Sequence, residues 1–205
     1  MARTTVSSAL LFQLLIHPQR VFDELASIRP SPVSVFFKFV VWLAVFPPIF
    51  AYLGASRFGW RLGATEPVFF AENVLLQISV AYFGTLILGF FSAAIVSRWM
   101  AATYDARESL GIHFAMITIV GAPLAVGSVI HLYPDVFINI IVLVPVLMWS
   151  MYLLYRGLPI VLHISPERGM LMASSLIGYL LVAAVSLLGL TVFLWVNGFG
   201  PAVGI

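Results

Sequence analysis

The chain has 205 residues, of which 62% are apolar and 9% are charged, and its net charge is +2. Soluble domains are about a quarter charged and about half apolar, so a chain of this composition needs lipid to solvate part of its surface. The small charge argues against nucleic-acid binding, and the lack of cysteine excludes disulfides, thiol nucleophiles, zinc–thiolate sites and iron–sulfur clusters.

Residues 1–32 precede the first long apolar stretch and are expected to form a cytoplasmic N-terminal interfacial segment. The apolar side chains fall roughly on one helical face, which predicts one or two short amphipathic helices, interrupted at Pro18, that lie at the membrane surface. A loosely ordered tail is the alternative. The apolar run after Arg3 is similar to a signal peptide, but Gln13 interrupts it and no small-residue cleavage site follows, so we expect it to be retained.

The rest of the chain, residues 33–205, is predicted to be a five-helix transmembrane domain. A membrane-spanning helix needs about 20 mostly apolar residues. Five stretches meet this requirement, at about 33–53, 74–99, 112–132, 136–155 and 170–196. The loops between them are short, so the fold class is all-α and polytopic.

The basic residues predict the orientation of these spans. With a cytoplasmic N-terminus, eight of the ten basic residues fall on or near the cytoplasmic side, and only Arg57 and Arg61 fall outside. Cytoplasmic loops of membrane proteins are enriched in Lys and Arg. We therefore expect a multi-pass membrane protein with its N-terminus in the cytoplasm and its C-terminus on the other side of the membrane.

Catalytic and ion-coupling groups are scarce. No Asp or Glu lies in the middle of a predicted span, which argues against a transporter coupled through a buried carboxylate. His113 and His131 bracket the third span and cannot share a metal. We find no nucleophile–base, zinc-protease, Walker or dinucleotide motif. We expect no enzyme, metal or cofactor; an enzyme would have to use polar groups of the cytoplasmic face, namely Asp105, Arg107, Glu108, His113 and His163.

Two features inside the spans predict helix packing and helix shape. Small residues recur at every fourth position of the second span, at Thr85, Gly89, Ala93 and Ser97, and they form a smooth face for another helix of this chain or of an oligomer. Gly121 and Pro123 are predicted to kink the third span near its middle.

The segment "LYRGLPIVLHISPERG", residues 154–169, joins the last two spans. Arg156 and Gly157 are expected to end the fourth helix, and Pro159 to prevent its continuation. Ser165 is a good N-cap for the fifth helix, with Pro166 in its first position. We expect this segment to pack on the loop "TYDARESL", with Arg156 or Arg168 pairing with Asp105 or Glu108.

The chain resembles the Yip (Ypt-interacting protein) family of integral membrane proteins, especially its bacterial branch. The similar positions are Pro18 and Phe22 in "HPQRVF", the loop "TYDARESL", Gly121 with Pro123, the "LYP" turn at 132–134, and the ending "WSMYLLYRGLP" with Tyr155, Gly157 and Pro159. The resemblance implies a five-helix bundle in the bacterial inner membrane, with a cytoplasmic N-terminus and a periplasmic C-terminus. Eukaryotic members are linked to Rab-type GTPases, but their long soluble N-terminal region has no counterpart here, so we do not carry GTPase binding over.

The functional expectation is a non-enzymatic scaffold or accessory subunit of a membrane complex, in contact with the bilayer and with an unidentified protein partner or a second copy. A small-molecule or lipid transporter or channel is the alternative. The candidate interaction residues lie on the cytoplasmic face: Tyr104, Asp105, Arg107, Glu108, Tyr155, Arg156, Gly157, Pro159 and Arg168.

Overall fold

The computed structural model describes residues 13–14, 17–63 and 65–198. A short helix, α1 (Pro18–Ser27), comes first. Five long apolar helices follow, and they are α2 (Pro32–Phe58), α3 (Glu72–Tyr104), α4 (Leu110–Leu132), α5 (Val136–Val161) and α6 (Pro166–Val196). Each is long and apolar enough to cross a membrane, and each contains one of the five predicted stretches. The all-α polytopic fold with five spans is therefore confirmed.

Three of the long helices are locally irregular. α2 contains a π-helical segment, Phe36–Val40, and it runs on through Pro47 and Pro48. α3 and α4 each end in a 3₁₀ turn. Membrane helices tolerate such features because neighbouring helices and local adjustments satisfy the backbone groups that they release. Lys38 lies in the π-helical segment with its side chain exposed.

α5 is longer than the sequence predicts. The expectation that Arg156 and Gly157 end this helix and that Pro159 stops it is wrong, because the helix continues to Val161. Pro159 lies in the last turn and cannot donate a hydrogen bond to the Tyr155 carbonyl, but the helix ends only two residues later. The reversal occurs at His163, whose φ is 54°, and the Ile164 N–H donates to the Pro159 carbonyl at 3.1 Å.

The start of α6 agrees with the prediction. Pro166 is its first residue, and the Ser165 hydroxyl accepts a hydrogen bond from the Arg168 N–H at 3.4 Å. An N-cap side chain satisfies one of the amides that have no partner in the first turn of a helix.

α1 is amphipathic, as predicted, but protein rather than lipid covers its apolar face. Val21, Phe22 and Leu25 are all 0% exposed. Packing on α4 and α5 buries this face completely, and the placement of α1 at the membrane surface stays a prediction. Residues 1–12 and 15–16 lie outside the described residues, so a second amphipathic helix there stays a prediction.

The main core lies at one end of the bundle, which we call the α1 end. This end also carries the segment 102–109, which begins in the last turn of α3, and the loop 162–165. α4 is the central helix, because every residue from 111 to 119 is buried. The core joins α1, the end of α3, α4, the last turns of α5 and the start of α6. The bundle is therefore tightly packed where the short helix meets the loops.

The other end, which we call the opposite end, is held by backbone contacts between loops. Trp60 and Val68 exchange two hydrogen bonds of 2.7 and 2.8 Å. The Arg61 N–H donates to the Pro134 carbonyl at 2.9 Å, which links the loop after α2 to the turn before α5. Gly54 lies directly against the backbone of the 131–132 segment, so a side chain there would collide with it.

Candidate functional site

The helix α1 is fixed to the bundle at Gly157. A Cβ atom added to Gly157 would lie 2.6 Å from Cε1 of Phe22, and it would also collide with Met116. Only a glycine therefore lets the Phe22 ring lie directly against the α5 backbone. This contact brings Phe22 and Gly157 together in the fold, although they are 135 residues apart in the sequence.

Tyr155 and Pro159 lie on the α6 side of α5. The Tyr155 hydroxyl lies 2.9 Å from the Ser174 hydroxyl. A Cβ atom on Gly169 would lie 2.8 Å from Cβ of Pro159, so α5 and α6 approach closely at the start of α6. The segment from Tyr155 to Pro159 is thus a packing motif that holds α1 and α6 against the same turn of α5.

The segment 102–109 lies beside the start of α6, as the sequence predicts for the segment 154–169. Nη1 of Arg168 lies 2.6 Å from Oδ2 of Asp105. The Tyr104 hydroxyl lies 3.4 Å from the Ser175 hydroxyl. Asp105 has a left-handed backbone with φ of 61°, which turns the chain out of α3. Since both charged side chains are exposed, their pair stabilises the fold by at most about 1 kcal/mol.

Glu108 and Arg107 do not take part in the contact between Asp105 and Arg168. Oε2 of Glu108 lies 3.6 Å from Nη1 of Arg29, just after α1, and not near Arg156 or Arg168. The side chain of Arg107 is exposed, and no carboxylate lies within 4.0 Å of it in the described chain. Of the predicted charged set, the structure therefore joins Asp105 to Arg168 and leaves Arg107 and Arg156 without an ion pair among the described residues.

The small-residue face of α3 divides into two parts. Ala93 and Ser97 are buried, and Ser97 Oγ lies 2.9 Å from Nδ1 of the buried His113. Gly89 has open space where a Cβ atom would be, and Thr85 is exposed. The half near the α1 end therefore packs against α4 of this chain, and the other half is left uncovered by the described residues.

Gly121 allows α3 to come close to α4. A Cβ atom at this position would lie 2.9 Å from Cε1 of Phe90. α4 is continuous through Gly121 and Pro123, so their proposed kink stays a prediction. This packing role of Gly121 was not predicted from the sequence.

A polar cavity of about 340 Å³ lies between α1 and α5 at the α1 end. Its lining residues are His17, Pro18, Gln19, Arg20, Phe22, Tyr152, Arg156 and Ile160. Of these, only Arg156 is among the predicted interaction residues. The others were missed because the pairing of α1 with α5 joins distant parts of the chain; the resemblance of Pro18 and Phe22 to the family pattern was the only sequence indication.

A second, mainly apolar cavity of about 500 Å³ lies at the opposite end. Its walls include Ala51, Trp60, Tyr82, Leu143 and Leu147. A polar group lies at its edge: the Tyr82 hydroxyl is 3.4 Å from Nε2 of His131, and Nδ1 of His131 contacts Oδ1 of Asn139. His131 was predicted from the sequence only to lie at the end of a span, and this cavity was not predicted.

Comparisons with known proteins agree with this architecture. The model of the Yip1 domain family matches residues 12–200. Inner membrane protein YohC of Escherichia coli strain K12 is 29% identical over 186 residues, which is 91% of this chain and 95% of YohC. YohC of Escherichia coli O6:H1 strain CFT073 gives the same values. No solved structure gives a significant match. Because the matched region includes α1, all five long helices and the motif that packs them together, the chain belongs to the Yip1 domain family.

Proposed function

We propose that this protein is a non-enzymatic scaffold or accessory subunit of a bacterial inner-membrane complex, with its N-terminus in the cytoplasm and its C-terminus in the periplasm. The proposal rests on the exposure of the second half of α6, which the bundle does not cover. Leu176 is the last buried residue of this helix, and from Gly178 to Val196 almost every side chain is exposed. This half of α6 leaves the bundle and packs on little else in the described chain.

The glycines of this uncovered region favour a helix partner over lipid alone. A Cβ atom placed on Gly178 or Gly189 of α6 would have nothing within 4 Å of it, and the same holds for Gly84 and Gly89 of α3. A glycine inside a helix costs about 1 kcal/mol relative to alanine. Small residues in membrane helices allow close approach of another helix, whose packing offsets that cost.

The proposal predicts a stable partner in native membranes. Affinity purification in mild detergent, with mass spectrometry and a mass measurement of the intact complex, should find a stoichiometric protein or a second copy. Gly178→Leu with Gly189→Leu should release it, since two large side chains would fill the contact surface. The control is Leu188→Ile, an exposed position whose change leaves both glycines intact. A lone monomer, together with no product from crosslinking in native membranes, would refute the proposal.

A transporter of lipids or small molecules is the second candidate, and the apolar cavity at the opposite end favours it. Ile140, Val144 and Leu147 line this cavity and are also exposed on the membrane-facing surface of α5, so an apolar molecule can enter from the bilayer. In proteoliposomes, Leu143→Trp should reduce flux by filling the cavity. Met148→Trp, on an exposed position outside the lining, should not. Equal flux in both variants would exclude this role for the cavity.

A further inference from the structure

We propose that the polar cavity between α1 and α5 binds the phosphate group of an anionic phospholipid in the adjacent leaflet. This site is separate from the uncovered half of α6 on which the proposed function rests. It is formed where the family-like segments around Phe22 and Gly157 meet.

The charges around the cavity are not balanced by protein carboxylates. All eight Asp and Glu residues of the sequence lie in the described part of the chain. Ion pairs within 4.0 Å engage only Glu108, with Arg29, and Asp105, with Arg168, among these residues. Arg20 and Arg156, which both line the cavity, therefore have no Asp or Glu carboxylate within that distance. Two unneutralised guanidinium groups around one cavity favour an anionic ligand.

The groups around the cavity are suited to a phosphate. A guanidinium group offers planar, paired N–H donors that match phosphate oxygens. The cavity also includes the first residues of α1, Pro18 and Gln19, at the positive end of the helix dipole. His17 precedes them and adds an imidazole to the same wall. The arginines, the imidazole and the helix end thus surround the same space.

Arg156 is held by aromatic residues that reach toward the membrane. Its Nε donates to the Tyr152 hydroxyl at 3.4 Å, and its Cζ lies 5.9 Å from the centre of the Tyr152 ring. Trp149 stacks on Tyr152 with ring centres 5.2 Å apart. Tyr and Trp concentrate at membrane–water interfaces, so this row places Arg156 at headgroup depth.

The surface next to the cavity favours a lipid over a soluble anion. Beyond Tyr152, α5 exposes Met148 and further apolar side chains along a membrane-spanning helix. A phosphate in the cavity can therefore be joined to acyl chains that lie along α5. Basic sites between membrane helices bind anionic lipid headgroups in this way. A zwitterionic lipid brings its own cation and should bind less well.

The test uses the full chain in detergent-free nanodiscs, with phosphatidylglycerol and phosphatidylcholine as probes and native mass spectrometry to count bound lipid. The wild-type protein should retain phosphatidylglycerol in preference to phosphatidylcholine. Arg20→Gln with Arg156→Gln should lower that preference by roughly thirtyfold, because each basic residue near the membrane surface contributes about 1 kcal/mol and about 1.4 kcal/mol corresponds to tenfold. The control is Arg57→Gln, an exposed arginine at the opposite end with no ion pair in the described chain, which should keep the wild-type preference.

Two further measurements, on a single variant and with competing inorganic phosphate, test the proposal if the double variant unfolds or if a free anion binds. If the double variant unfolds, Arg20→Gln alone, on the exposed side of α1, should still lower the preference. Inorganic phosphate in large excess should not displace the lipid; displacement would assign the site to a free anion and overturn the proposal. The proposal also fails if the wild-type protein does not distinguish the two lipids, or if the folded arginine variants keep the wild-type preference.

Discussion

At the scale of single residues, Gly157 shows that a glycine can either end a helix or allow close packing inside one. Next to Arg156 and close to Pro159, it fits the end of a helix, and the sequence alone favours that interpretation. In the structure it lies inside α5, where the Phe22 ring and Met116 occupy the space of a side chain. The difference depends on a neighbour from α1, which local sequence does not reveal.

Gly157→Leu should therefore destabilise the protein by about 1–3 kcal/mol, because the new side chain would displace Phe22 in a packed core. Thermal or denaturant unfolding of the purified protein in detergent measures the change. Ile141→Leu is the control on the same helix, since the Ile141 side chain is exposed and its substitution should cost little. In a Phe22→Ala background the effect of Gly157→Leu should shrink, because the ring is gone. Wild-type stability of Gly157→Leu would show that the Phe22 contact is not tight.

At the scale of elements, helix starts were easier to predict than helix ends. Ser165 before Pro166 is an N-terminal pattern with a direct chemical reason, and the structure confirms it. Asp135 caps α5 in the same way, and this cap was not predicted from the sequence. α3 and α4 end in 3₁₀ turns and α5 extends to Val161. These ends depend on tertiary contacts, so the last residues of the helices were less predictable.

Asp135→Ala should destabilise the start of α5 by about 1 kcal/mol, the usual cost of losing an N-cap. The Asp135 carboxylate accepts a hydrogen bond from the Ile138 N–H at 3.1 Å and is 7% exposed. Amide hydrogen exchange at residues 136–139 should rise, and the melting temperature should fall. Asp135→Asn keeps a capping oxygen and should stay close to wild type. Unchanged exchange in the alanine variant would count against the cap.

At the scale of the whole molecule, the connections between helices lie at two ends of the bundle. Asp105 with Arg168 and Arg29 with Glu108 tie together the α1 end, and Arg61 with Pro134 ties the opposite end. An odd number of spans places the first and last described segments at different ends. The end with more Lys and Arg is the one that the positive-inside rule assigns to the cytoplasm.

Reporter fusions should confirm this orientation. Alkaline phosphatase is active only outside the cytoplasm, so a fusion after residue 198 or within 62–67 should be active, and one within 102–109 should be inactive. Green fluorescent protein at the same sites should give the complementary pattern. The reverse pattern at all three sites would invert the proposed topology while leaving the contacts between loops unchanged.

The sequence by itself determined the membrane class, the five spans, the amphipathic α1 and the neighbouring loops that Asp105 and Arg168 join. These features follow from composition, span length, helical periodicity and charge, all of which are read along the chain. Tertiary structure decided what covers α1, why Gly157 is a glycine, and that Arg20 and Arg156 share a cavity. These three features depend on contacts between side chains that are far apart in the sequence, and local sequence patterns do not predict such contacts.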